Sequence, residues 1–268
     1  MALLAVPGPF DFALTTERFR AFGVDRASVW HEGGLHRVVG GRELRIEPAP
    51  GGVDAEPLDG ETEPVVRALV GLPFDLEPFY TWAAGDEVLR EVVTALMGFR
   101  PALLPDPFEL LVGAITAQQV SLRSATAIRN RLIERYGTQV GAAWSFPARE
   151  RIAGASEDEL HALGLTRRKA EYVVGLARSE LDLAALAALP DDEVKARLTA
   201  VRGLGEWTAD WFLARHLARP HAWPWGDLAL RKAVESLYGG LDVREARAHF
   251  HPFENLSAHY LLLAQRTP

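Results

Sequence analysis

The chain has 268 residues, enough for one large domain or two of ordinary size around a sizeable core. Its 48% hydrophobic and 24% charged residues exclude long disorder, and the absence of cysteine excludes disulfides, a thiol nucleophile, a cysteine zinc site and a cysteine-ligated iron–sulfur cluster. The net charge of -7 is uneven: residues 1–100 carry 9 Lys or Arg against 16 Asp or Glu, whereas residues 101–268 carry 20 of each, so the acidity belongs to the first third.

Residues 1–6 run at once into Pro7-Gly8-Pro9 without a basic start, and no apolar run approaches the roughly 18 residues of a membrane span. A soluble, cytoplasmic chain is the expectation. Residues 15–22 have helical spacing. Residues 27–31, 35–39 and 42–47 read as short strands parted by Gly33-Gly34 and Gly40-Gly41, a meander of hairpins that the Pro- and Gly-bearing residues 48–57 bring to an end. From residue 63 onward helical periodicity prevails, over 65–70, 79–84, 87–98, 107–116, 122–136, 147–153, 156–162, 167–179, 191–200, 206–217, 228–238 and 252–264. Ser156 with Glu159 has the spacing of a capping box, and Gly98, Gly137 and Gly239 stand where helices should stop. This grouping predicts an α+β antiparallel sheet domain over residues 1–75 and an all-helical region over 76–268, with the boundary between 72 and 106. Residues 123–178 hold 10 basic against 6 acidic side chains, which on charge alone reads as a solvated, Arg-rich face.

The most informative segment is Leu198-Thr199-Ala200-Val201-Arg202-Gly203-Leu204-Gly205-Glu206-Trp207-Thr208-Ala209-Asp210, inside a helix, turn and helix over 194–217. Glycines there allow a left-handed turn and close approach of the backbone to another surface. The first amides of the second helix point outward unpaired, and with the helix dipole they can hold a phosphate without reading sequence. An ordinary tight corner explains a bare Gly-x-Gly equally well. Asp227 follows Trp207 by twenty residues and stands just before a helix, where an isolated aspartate is most often an N-cap. Trp207 and Trp211 are four apart on one face, suited either to stacking on an electron-poor base or to plain core.

Gly203-Leu204-Gly205-Glu206-Trp207-Thr208-Ala209 followed by Asp227-x-x-Leu230-Arg231 resembles the helix-hairpin-helix superfamily of DNA base-excision glycosylases, and more narrowly its 3-methyladenine DNA glycosylase II branch. Ile115-Thr116-Ala117-Gln118-Gln119-Val120-Ser121, Leu163-Gly164-Leu165-Thr166-Arg167-Arg168-Lys169-Ala170-Glu171-Tyr172 and Pro9-Phe10-Asp11 agree, so the likeness covers nearly the whole chain. It implies an α+β N-terminal antiparallel sheet domain followed by an all-α helix-hairpin-helix glycosylase domain. The implied activity is monofunctional hydrolysis of the N-glycosidic bond of alkylated bases such as 3-methyladenine, flipped out of double-stranded DNA, by a monomer that needs no membrane. No cofactor is required and no iron–sulfur cluster is expected; the hairpin carbonyls are implied to hold a structural monovalent or calcium ion.

The resemblance makes Asp227 the catalytic group, since breaking such a bond builds positive charge on the sugar that a carboxylate offsets. It places Trp207 and Trp211 in the base pocket, Gln119 in the gap left by the flipped nucleotide, and Gly203, Gly205 and Thr208 on the DNA backbone. Gln118 and Gln119 also read as a polar helix start or a buried amide that fixes packing. Leu262, Leu263 and Arg18 stand where the branch's best-known form has aromatic residues. Trp207 fills the position of the lysine nucleophile of strand-cleaving relatives, and with Lys169, Lys195 and Lys232 as the only lysines, no Schiff base and no lyase activity are expected. The competing readings are the same fold acting on deaminated or oxidised bases, a non-catalytic DNA-lesion binder, and a protein-interaction module. A mere binder has no use for a carboxylate beside a polyanion.

Overall fold

The computed structural model describes residues 2–266. Its first third builds a five-stranded antiparallel sheet from β1 (Ala2–Ala5), β2 (Val29–His31), β3 (Gly34–Val39), β4 (Arg42–Ala49) and β5 (Gly52–Glu56), in the order β1-β5-β4-β3-β2. The three predicted strands are β2, β3 and β4, with Leu35 opposite Ile46 and Val39 opposite Arg42. Period-two alternation turns Leu44, Ile46, Val53 and Ala55 to one fully buried face.

Two local expectations fail. Residues 48–57 do not end the sheet; they complete β4, turn, and form β5. Pro48 is tolerated because at that point β4 pairs only with β5, opposite Val53, the register with β3 having run out at Ile46. Gly52 lets β1 close on the sheet, since a Cβ there would lie 2.1 Å from the Leu4 carbonyl oxygen. The helix expected over 15–22 is instead a short α1 (Phe12–Thr15) followed by a turn of 3₁₀ helix at Glu17–Phe19. Asp11 starts α1 early by accepting from the Leu14 amide at 2.8 Å, and the Thr16 hydroxyl bonds back to the Phe12 carbonyl at 2.6 Å.

α2 (Glu63–Leu69) lays Val66 and Leu69 on the sheet's core beside Ile46 and Val53. The remaining helices are α3 (Leu76–Ala83), α4 (Glu87–Ala95), α5 (Pro107–Ala117), α6 (Leu122–Tyr136), α7 (Arg149–Ala153), α8 (Glu157–Ala162), α9 (Arg167–Arg178), α10 (Asp191–Thr199), α11 (Glu206–Arg215), α12 (Leu228–Tyr238), α13 (Ala246–His249) and α14 (Glu254–Ala264). They enclose a second core that runs from Phe74 to Leu263. A two-stranded ribbon, β6 (Gln139–Val140) with β7 (Ala143–Trp144), follows α6 and reaches the sheet through the Ala142 amide, which donates to Glu43 at 2.8 Å. Side-chain caps explain where many of these helices begin: Asp75, Asp86, Asp106, Ser121 and Thr166 accept from first-turn amides, and Ser156 with Glu159 closes a full capping box.

A buried ionic group joins the two cores. Glu109 of α5, 1% exposed, accepts from Arg37 of β3 and Arg129 of α6, and Arg129 also pairs with Asp25. Two guanidiniums face two carboxylates, so the cluster is neutral as a whole. Burial alone would lower Arg37 and Arg129, but the facing carboxylates hold both above their usual pKa; burial would raise Asp25, and Arg129 holds it below its own. Among the described residues no helix is long and apolar enough to cross a membrane.

Candidate active site

The turn between α10 and α11 depends on Gly203, whose φ of 94° is left-handed and whose Cβ would lie 2.3 Å from the Tyr172 ring of α9. Gly205 caps α11 in extended conformation, with open space around its α-carbon and no side chain bonded to the amides beyond it. The hairpin is tied to the end of α5 by Gln118, whose Nε2 donates to the Gly203 carbonyl at 2.9 Å. Thr208 departs from expectation. Its side chain is 1% exposed and its amide donates to the Gly205 carbonyl at 3.0 Å, because this face of α11 turns inward with Trp211 and Phe212.

Beyond the hairpin, a cavity of about 420 Å³ opens between the segment around α1, α5, α6, α11, the start of α12 and α14. Asp227 stands in its wall and receives four hydrogen bonds. Oδ1 accepts from the Ala229 and Leu230 amides at 2.9 and 3.0 Å, which makes it the N-cap of α12. Oδ2 accepts from the indole Nε1 of both Trp207 and Trp211, each at 3.0 Å. The cap fixes the carboxylate's rotamer, and the two indoles fix the oxygen that faces the cavity.

Both tryptophans line the cavity, though not as two open stacking faces. Trp207 is half-buried, whereas Trp211 is 4% exposed, with the Arg215 guanidinium carbon 3.7 Å from its ring centroid and the His259 ring set edgewise at 5.8 Å. Trp211 is thus a buried support for Asp227 with one ring face already taken. Gln119 is exposed at the α5–α6 junction with a left-handed φ of 55°, rare for a residue with a Cβ, and its neighbours Ala117 and Leu122 line the cavity.

The cavity wall also holds residues whose importance is not visible one segment at a time. Arg215 comes from α11, His259 and Arg266 from the last helix and its end, and Arg18 from the segment after α1; Leu262 and Leu263 line the same space. Arg215 is pushed well below its usual pKa by burial and by Arg18, and Arg18 down to about 10 by burial and by Arg266. Burial, then Arg215, hold His259 neutral, well below the ordinary histidine range. The spacing Trp207, Trp211, Arg215 at every fourth residue is the one sequence signal that points to Arg215. None of the three lysines is among the lining residues. Lys169 is buried and donates to the Thr116 carbonyl at 2.8 Å, Lys195 pairs with Asp210 at 2.6 Å, and Lys232 is exposed on α12.

Comparison with known proteins places this geometry. Residues 112–253 match the family model described as HhH-GPD superfamily base excision DNA repair protein. The chain is 32% identical over 171 residues to a DNA-3-methyladenine glycosylase of Bacillus subtilis, covering 61% of this chain and 56% of that one; it spans about half the length of the curated relatives it matches. A solved 3-methyladenine DNA-glycosylase from Archaeoglobus fulgidus superposes with a TM-score of 0.86 at 30% identity, over 98% of this chain and 97% of that one. A Schizosaccharomyces pombe 3-methyladenine DNA glycosylase, solved in complex with abasic DNA, gives a TM-score of 0.59 at 25% identity, over 69% of this chain and 94% of that one.

Proposed function

The chain belongs to the HhH-GPD superfamily of base excision DNA repair proteins, and from that premise we propose that it is a monofunctional glycosylase that hydrolyses the N-glycosidic bond of alkylated bases such as 3-methyladenine in double-stranded DNA. The observation that carries this reading is a carboxylate held by four N–H donors in the wall of a cavity that opens beside a phosphate-binding type of hairpin.

A base can enter such a cavity only after leaving the duplex stack. Gly205 and the uncapped start of α11 are suited to a backbone phosphate, and Gln119, exposed at the cavity's edge, to the gap left in the helix. The half-buried face of Trp207 is the surface for the flipped base. As the bond to the sugar breaks, its electron pair leaves with the base and positive charge grows on the sugar carbon. Asp227 meets that charge already oriented, with no reorganisation required at that moment. Water then adds to the same carbon and gives up its proton, leaving an abasic sugar. A cationic alkylated base is the better leaving group because it departs neutral. The absence of lysine among the described lining residues supports hydrolysis without an imine intermediate, and so without strand cleavage.

The same proposal includes an ion at the hairpin. The turn offers main-chain carbonyls, hard oxygen donors of the kind a monovalent or calcium ion takes, with that of Gly203 already accepting from Gln118.

The test is incubation of the full chain with duplexes carrying methylated, deaminated or oxidised bases, scoring base release and strand nicking separately. Release of methylated base with the strand intact until alkali is added is the expected result. Exclusive release of deaminated or oxidised bases, or borohydride trapping of a covalent adduct, would overturn the assignment.

A further inference from the structure

A second cluster of chemically competent side chains lies in an open cleft formed by the start of α10, the loop between α11 and α12, α13 with Arg247, and the start of α14. Glu254, the first residue of α14, has a side chain only 3% exposed, and its two oxygens diverge to two imidazoles. Oε2 is 3.0 Å from His221 Nδ1 and Oε1 is 3.2 Å from His251 Nδ1. The two rings are nearly parallel, 22° apart with centroids at 5.1 Å. One donor atom from each of the three residues lies within 4.8 Å of the other two, and both histidines are open to the cleft, where Asp191 and Asp192 also lie.

We propose that His221, His251 and Glu254 form a binding site for a divalent zinc ion. Two imidazole nitrogens and a carboxylate oxygen are a donor set this ion takes. Nitrogen and oxygen ligands about 2.0–2.2 Å from a tetrahedral zinc stand roughly 3.3–3.5 Å apart; each histidine already lies 3.0 or 3.2 Å from one oxygen of Glu254, and the three donor atoms, now within 4.8 Å of one another, would draw together around the ion. Nδ1 is the ring nitrogen that faces the carboxylate in both histidines, and each would ligate through it as the neutral tautomer with its proton on Nε2. The ion's fourth position faces the cleft and water. Asn255, next to Glu254, already ties the same loop to α14: its amide donates to the Pro220 carbonyl at 3.0 Å and its side chain to those of Ala214 and Arg219 at 3.1 and 2.9 Å. Zinc would therefore clamp the loop that leads into Asp227 onto the last helix.

The experiment uses the untagged full chain, stripped with chelator and titrated with zinc against a chromophoric competitor, with metal content and thermal midpoint as readouts. We expect one zinc per chain and a rise in midpoint at saturation. Because both imidazoles are exposed, His221→Ala and His251→Ala should fold normally. Each should weaken binding by ~10-fold or more, at least as much as loss of a supporting residue does, and abolish the rise. Glu254→Gln gives a third arm, and His161→Ala, on α8, is a control that should bind as the parent does. Failure to take up zinc at a hundredfold excess, or uptake that both alanine variants weaken by less than ~10-fold, would overturn the site.

Discussion

Gln118 donates from its side-chain amide to the carbonyl of Gly203, so the end of α5 and the hairpin turn are held by one hydrogen bond across 85 positions of sequence. The adjacent Gln119 is the residue proposed to enter the DNA, and Gly203 shapes the turn proposed to grip its backbone. The distance between base gap and phosphate is thereby preset. Gln118→Ala should cost about 1 kcal/mol, roughly fivefold in kcat/KM for a damaged duplex, with little change in affinity for undamaged DNA. An equal loss on undamaged duplex, measured by fluorescence anisotropy, would make Gln118 a backbone contact instead.

Asp227→Asn should abolish base release, by roughly 10²-fold or more as for other preorganised electrostatic groups, while DNA binding is kept or tightened. The variant should also lose about 1–3 kcal/mol of stability through donors left unpaired. If the amide oxygen keeps the cap of α12, the NH₂ group meets two indole N–H donors and nothing there accepts. Single-turnover assays beside urea unfolding separate the two effects, and near-normal turnover in a folded variant removes Asp227 from the chemistry.

Trp211→Phe deletes one N–H while nearly preserving the buried ring. A hydrogen bond to a charged group is worth about 1.5–3 kcal/mol, so kcat should fall about 10- to 100-fold with KM nearly unchanged. Trp207→Phe should raise KM as well, because Trp207 also offers its face to the base. An unchanged kcat in Trp211→Phe would mean that Trp207 alone orients the carboxylate.

Stability should fall as the pH drops below the ordinary histidine range. Burial, reinforced by Arg215, Arg18 and Arg266, holds His259 neutral in the folded state, and burial lowers His216 as well. An unfolded chain takes up those protons near pH 6.5, so the contribution is complete above about 6.5 and lost on acidification, by up to ~1.4 kcal/mol per pH unit per group. Urea unfolding from pH 8 to 5 gives the slope, and His259→Phe should reduce it by one proton. A slope that the substitution leaves intact would assign it elsewhere.

The hairpin, Asp227 and many helix starts were legible because their signals are local: a glycine pair, a fixed interval of twenty residues, a serine with a glutamate three residues on. What escaped depends on contacts distant in sequence. β5 was hidden because Pro48 and Gly52 read as breakers, yet each is acceptable only given the strand, or the missing strand, beside it. For Thr208 and Trp211 the spacing gives a helix face but not which face is covered, and the fold buries both. Arg18, Arg215, His259 and Arg266 converge from separate segments, and no single window of sequence shows that they share a wall.

The ion pairs around Glu109 bear on how far the protein can be trimmed. A fragment starting at α3 would retain the hairpin, both tryptophans and Asp227, and by inspection of motifs alone it would pass for a sufficient enzyme. It would nevertheless leave Glu109 and Arg129 without Arg37 and Asp25, and it would discard Arg18 and Phe22, which form part of the cavity wall. The N-terminal region is therefore not a detachable appendage, because its residues 14–25, between β1 and β2, form part of the wall of the cavity proposed to take the base. Reshaping the range of bases accepted is as much a matter of redesigning residues 15–25 as of altering the helix that follows the hairpin.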